Sequence, residues 1–135
     1  MLKDALGGYR GTAEEITRII SRYPENAEAW YNRANARSRT GDFRGAEVDY
    51  TMALKLGLRF REAVTAYGNR AIARAELGEI DGAIEDCSAI IDRRPNNKRL
   101  LYAAFMQRAL LKEKKGDSEG AAGDRKIAAL VCPRI

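Results

Sequence analysis

Along most of the chain, apolar and small residues recur with the period of an amphipathic helix, and a glycine turn closes each such run. Trp30 is followed by Ala34, with Ala36 beside it, before Gly41. After that glycine, Phe43, Ala46, Val48, Tyr50, Ala53, Leu54 and Leu56 carry a second apolar face. The pattern then begins again. Tyr67, Ala71, Ala73 and Leu77 lead to Gly78, and Ile80, Ala83, Ile84, Cys87, Ile90 and Ile91 follow it. A third round runs through Phe105, Ala109 and Leu111 to Gly116, then through Ala121, Ile127, Ala128 and Val131. The chain thus reads as helix, tight turn, helix and loop, three times over.

The punctuation repeats as regularly as the faces do. "TGDF", "LGEI" and "KGDS" place Gly41, Gly78 and Gly116 at nearly equal intervals. "GGY", from Gly7 to Tyr9, is a fourth such group, a slightly shorter interval before Gly41. Pro24, Pro95 and Pro133 each follow a glycine of this series, Gly7, Gly78 and Gly116, at one constant offset. Much of "AWYNRANARSRTGDF", beginning at Ala29, returns as "AYGNRAIARAELGEI", beginning at Ala66. Self-similarity at this period marks a solenoid, in which stacked helix pairs bury a core that no single pair could form. Alanines at the crossing points let paired helices approach closely, and Trp30, Tyr67 and Phe105 are placed to fill the gaps between pairs.

These residues resemble the tetratricopeptide repeat, with its early aromatic, turn glycine, alanine and aromatic in the second helix, and closing proline. Trp30, Gly41, Ala46, Tyr50 and Ala53 hold those places in one unit. Tyr67, Gly78, Ala83, Cys87 and Pro95 hold them in the next, and Phe105, Gly116, Ala121, Ala128 and Pro133 in the last. The resemblance implies an all-α fold, a right-handed superhelical solenoid of antiparallel helix pairs. One domain would cover residues 1–135, with repeats at 27–58, 64–95 and 102–133 and part of another, mainly its second helix, at 1–24. Extra residues in "LRFREAV" and "NNKRLLY" should lengthen a loop or add a turn to the helix that follows. Gly120 and Gly123 weaken the last helix by roughly 1 kcal/mol each relative to alanine. Arg125 stands where an aromatic is usual, and no polar capping helix follows Pro133. The carboxy-terminal edge should therefore expose alanine and leucine, an opening for homo-oligomer formation.

In this family the concave wall, lined by the first helices, commonly binds an extended peptide or a partner's helix. The resemblance puts Asn32, Asn69 and Gln107 one above another on that wall. An amide carries both a donor and an acceptor, so such a ladder could hold a peptide backbone. Asn35, Ile72 and Leu110 follow one turn along, and Glu28, Thr65 and Ala103 one turn back. Tyr31 and Met106 should also face the groove, with Arg39, Glu76 and Lys114 near its rim. The alternative is that these asparagines only bridge helices within the stack. Some members clamp a chaperone's terminal carboxylate with five residues of their first helices, two asparagines and three cations. Asn35 and Asn69 match two of those places, but Tyr31, Ala103 and Gln107 replace the three cations, so that ligand is not expected.

The arginine of each repeat reads differently. Arg33, Arg70 and Arg108 each precede an acid, Asp49, Asp86 and Asp124, by the same number of positions. Across a helical hairpin that offset brings the side chains together, so an ion pair within each unit is expected. Such pairs specify register more than they stabilise.

Composition narrows the function. The chain has 135 residues, 45% apolar and 32% charged, with three prolines and no apolar run long enough to span a membrane. There is no histidine at all, which removes the commonest general base, and no phosphate-binding glycine loop or metal-ligand cluster appears. Neither catalysis nor a cofactor is expected. Two cysteines, Cys87 and Cys132, suit a reducing compartment, so a cytoplasmic location is expected. The net charge of +5 comes entirely from residues 98–135, which hold nine basic and four acidic groups. That asymmetry raises RNA or other nucleic acid as an alternative partner, against a solvated basic helix face. Glu28 and Glu76 on the expected groove argue against it. The reading reached from sequence is a scaffold or adaptor module that binds a peptide or protein segment in its concave groove.

Overall fold

The computed structural model describes residues 11–132, so "GGY" and Pro133 lie outside the described residues. Seven helices follow one another: α1 (Ala13–Arg22), α2 (Ala27–Arg39), α3 (Phe43–Leu56), α4 (Phe60–Glu76), α5 (Ile80–Asp92), α6 (Lys98–Lys115) and α7 (Ser118–Val131). The pairs α2–α3, α4–α5 and α6–α7 are hairpins, each of which packs on the next, and α1 packs against α2. Among the described residues no helix is long and apolar enough to cross a membrane.

Local chemistry sets the helix ends. Thr12 opens α1 with a capping box shared with Glu15, and the Asn26, Asp42, Asn97 and Asp117 side chains accept backbone N–H bonds at the starts of α2, α3, α6 and α7. The three hairpin turns need positive φ, which Gly41, Gly78 and Gly116 supply at 86°, 82° and 95°. Most residues of the two inserted stretches, from Phe60 and from Lys98 onward, form helix. Consequently α4 and α6 start at Phe60 and Lys98, ahead of the expected 64 and 102, and run to 17 and 18 residues against 13 for α2.

Second helices bury one stripe: Ala46, Asp49, Tyr50 and Ala53 in α3, then Ala83, Asp86, Cys87 and Ile90 in α5. First helices are covered on two sides, by their own partner and by the preceding repeat. Ala34 accordingly packs with Ala46 and Tyr50, while Ala36 packs with Ile16 and Ile20 of α1. Two buried sides so close in sequence weaken the simple amphipathic pattern of α2, α4 and α6. Trp30 lies against the α1–α2 cluster, Tyr67 against Val64, Ile90 and Ala104, and Phe105 is buried. Cys87 is fully enclosed, and burial pushes its thiol up to about 12, so it is an unreactive packing group. On α7, Leu130 is 79% exposed.

The two glycines of α7 differ in purpose. A methyl at Gly120 would collide with the Asp117 carboxylate that caps the helix, whereas one at Gly123 meets nothing within 4 Å. Gly123→Ala should therefore raise unfolding stability by about 1 kcal/mol in urea titration, and Gly120→Ala should fail to do so because the cap is displaced. Equal gains at both positions would contradict this account of the cap.

Candidate functional site

Each hairpin closes around one buried acid. The Arg33 guanidinium donates two bonds to Asp49, at 2.8 and 2.9 Å. Arg70 forks Asp86 at 2.6 and 3.1 Å, and Arg108 forks Asp124 at 2.8 and 2.9 Å. All three expected pairs are present. A second cation, one turn further along the first helix, joins each acid: Arg37 at 2.9 Å, Arg74 at 3.3 Å and Lys112 at 3.2 Å. The arginine also lies over the aromatic one turn before it, Trp30, Tyr67 or Phe105, with ring distances of 5.1, 5.6 and 5.5 Å.

Its remaining nitrogen leaves the repeat. Nη1 of Arg33, Arg70 and Arg108 donates at 2.9 Å to Thr17, Thr51 and Ser88, on the second helix of the repeat before. One side chain thus ties both helices of its own pair to the preceding one. A further bond between repeats, from Arg74 to Glu47 at 2.9 Å, strengthens the junction of α3 and α4. Burial shows in the acids' titration. Asp86, enclosed between neighbours, is pushed above the ordinary aspartate value by desolvation, which outweighs its arginines. Asp124 is also desolvated, but its bonds to Arg108 and Lys112 prevail and hold it below that value.

The first helices turn their other face to a groove of about 580 Å³. From α2 it takes Glu28, Tyr31, Asn32, Asn35 and Arg39, and from α4 Glu62, Asn69 and Ile72. The ladder is diagonal: Asn69 donates to Asn35 at 3.5 Å, one turn along α2 from Asn32, and the Tyr50 hydroxyl donates to the same Asn35 oxygen. Burial pushes that hydroxyl above the ordinary tyrosine value. Asn32 is only 9% exposed and presents little of itself. Gln107, Met106 and Lys114 lie on α6, and the groove between α2 and α4 does not include them. Glu76, at the end of α4, is also outside it. Sequence reasoning missed Glu62, Ser38, Phe43 and Tyr50 among the lining residues. Ser38 gave no repeat signal, Phe43 and Tyr50 read as packing positions of the second helix, and Glu62 belongs to the inserted stretch that became the first turn of α4.

Paired helices stacked by a repeated clasp, with a polar groove on one wall, define a helical-repeat solenoid. Residues 2–50 and 31–98 match the tetratricopeptide repeat profile, and the chain belongs to that family, whose repeats mediate protein–protein interaction. No curated protein matches it. Among solved structures, "Crystal structure of MamA protein" superposes with a TM-score of 0.77 at 24% identity, over 88% of this chain and 61% of that one. "MamA MSR-1 C2" gives 0.72 at 19%, over 88% and 64%. A tetratricopeptide repeat protein from Parabacteroides merdae gives 0.74 at 24%, over 91% and 46%. The chain therefore spans less than two thirds of each of these, and the likeness establishes the right-handed solenoid fold.

The clasp makes a quantitative demand. Asp86→Ala leaves Arg70 without a carboxylate and Arg74 with Glu47 alone, and should cost about 3–5 kcal/mol in urea unfolding. Arg70→Met with Asp86→Leu removes both partners together and should cost much less. A double variant as damaged as Asp86→Ala would contradict the reading of the pair as a register device.

Proposed function

We propose that this chain is a non-catalytic interaction module that holds an extended protein segment in the groove between α2 and α4. The observation that carries the reading is that groove itself, where amides of two successive first helices, Asn35 and Asn69, meet beside Tyr31 and Ile72. Asn35 spends its carbonyl on Tyr50 and Asn69, which leaves its amide N–H groups as the donors it can offer a bound segment. Ile72, 49% exposed, supplies an apolar contact beside them. Hydrogen-bonding groups flanked by apolar surface suit a peptide backbone with intermittent side-chain contacts.

The charge asymmetry that favoured nucleic acid is partly absorbed by the fold. Of the nine basic residues in 98–135, Arg108, Lys112, Lys115 and Arg125 form ion pairs with Asp124, Asp81 and Glu113. A structural use for those four weakens the case for a basic binding surface.

Site-specific photo-crosslinking tests the groove. A benzophenone amino acid at position 72 should capture a protein from the source cell's extract, and one at Val48, exposed on α3, should not. Adding Asn69→Ala should reduce the adduct at position 72 at least about fivefold, as expected for one or two lost hydrogen bonds. Adducts formed only from position 48 would contradict the reading.

A further inference from the structure

We infer that the amino-terminal end of the groove receives a lysine or arginine side chain of the bound segment, between Glu28 and Glu62. The inference rests on the groove being the binding site. Glu28 lies in the first turn of α2 and Glu62 in the first turn of α4, two neighbouring helices that touch one another. Both carboxylates line the main groove, and both also line a recess of about 190 Å³ that continues it towards Gly57 and Leu58.

Neither glutamate has an ion-pair partner among the described residues, although twelve such pairs are formed elsewhere. More telling, Oε1 of Glu62 is buried and makes no hydrogen bond. A carboxylate oxygen withdrawn from water without a donor is unfavourable, and a cationic group in the recess, met by a turn of the carboxylate about its terminal torsion, removes the deficit. Both acids sit at the positive end of their helices, where a negative charge is favourable. An exposed glutamate would serve that purpose alone; one whose oxygen is shut from solvent does more. Nor does the repeat require these acids, since Thr65 and Ala103 occupy the places equivalent to Glu28. Glu62 is carried by the extra turn that distinguishes α4 from α2.

Two cations line the recess and the groove. Arg59 lines the recess but is exposed and pairs with neither glutamate, and Arg39 closes α2 at the end opposite Glu28. At the rise of an α-helix that separation is about 16 Å, room for about five extended residues. A segment with its basic side chain at the acidic end then runs past Ile72 towards Arg39, and the charges fix its direction.

The test begins with selection of a random heptapeptide display library on the immobilised full chain at low salt. Enriched peptides are resynthesised with a fluorophore and titrated by anisotropy. They should share one Lys or Arg position, and norleucine there should weaken binding at least tenfold. Glu62→Gln, with its folding checked by circular dichroism, should weaken the parent peptide similarly yet leave the norleucine peptide unchanged. Peptides that depend on Asn69 but share no basic position, or independent losses from the two changes, overturn this inference and leave the groove reading standing. Absence of any Asn69-dependent peptide overturns both.

Discussion

A buried aspartate held by two cations is the constraint around which each hairpin is arranged. Asp49, Asp86 and Asp124 are all nearly inaccessible, and an unpaired carboxylate at any of these places would be strongly unfavourable. The first helix must therefore bring its arginine to a fixed height and rotation opposite the second. Because the guanidinium is a planar fork, it meets the carboxylate with two bonds and still has Nη1 to offer elsewhere. Thr17, Thr51 and Ser88 receive it. The same group that sets the register within a hairpin thus sets the step to the repeat before.

The groove follows from this arrangement. With the arginines turned towards the second helices and the preceding repeat, the residues one position earlier lie about 100° round the helix, and Asn32 and Asn69 line the groove. Asn35 and Tyr50 then link α2, α3 and α4 at the groove floor. On the proposed reading, affinity for a partner resides in Tyr31, Ile72, Asn69 and the acidic end, whereas the clasp sets the shape of the wall. Substitution of an arginine should disturb binding through geometry alone, which separates scaffold from contact.

Much of this was legible in the chain. Glycine spacing located every hairpin turn in the described residues, and the constant Arg-to-Asp offset located the clasp. The hydroxyl partners were hidden because the inserted residues make their offsets from the arginine unequal, 16, 19 and 20. Counted from the glycines that precede them, Gly7, Gly41 and Gly78, all three fall at one common offset, so the signal was present in another frame. The second cations, Arg37, Arg74 and Lys112, recur just as regularly but read individually as surface charges. Glu62 could not be placed, because an insertion can form a loop or extend a helix, and only packing of α4 against α2 decides that. Gln107 shares the repeat position of Asn32 and Asn69 but lies on α6, outside the groove between α2 and α4.

The central claim, that one arginine joins three helices from two repeats, is tested most directly by hydrogen exchange in Arg70→Lys. The lysine keeps the charge but has no fork and cannot reach Asp86 and Thr51 together. Exchange should quicken in α5 around Asp86 and also in α3 around Thr51, in the preceding repeat, while α1 and α7 keep their protection. Faster exchange confined to α4 and α5, with α3 unchanged, would show that the repeats hold together without the clasp.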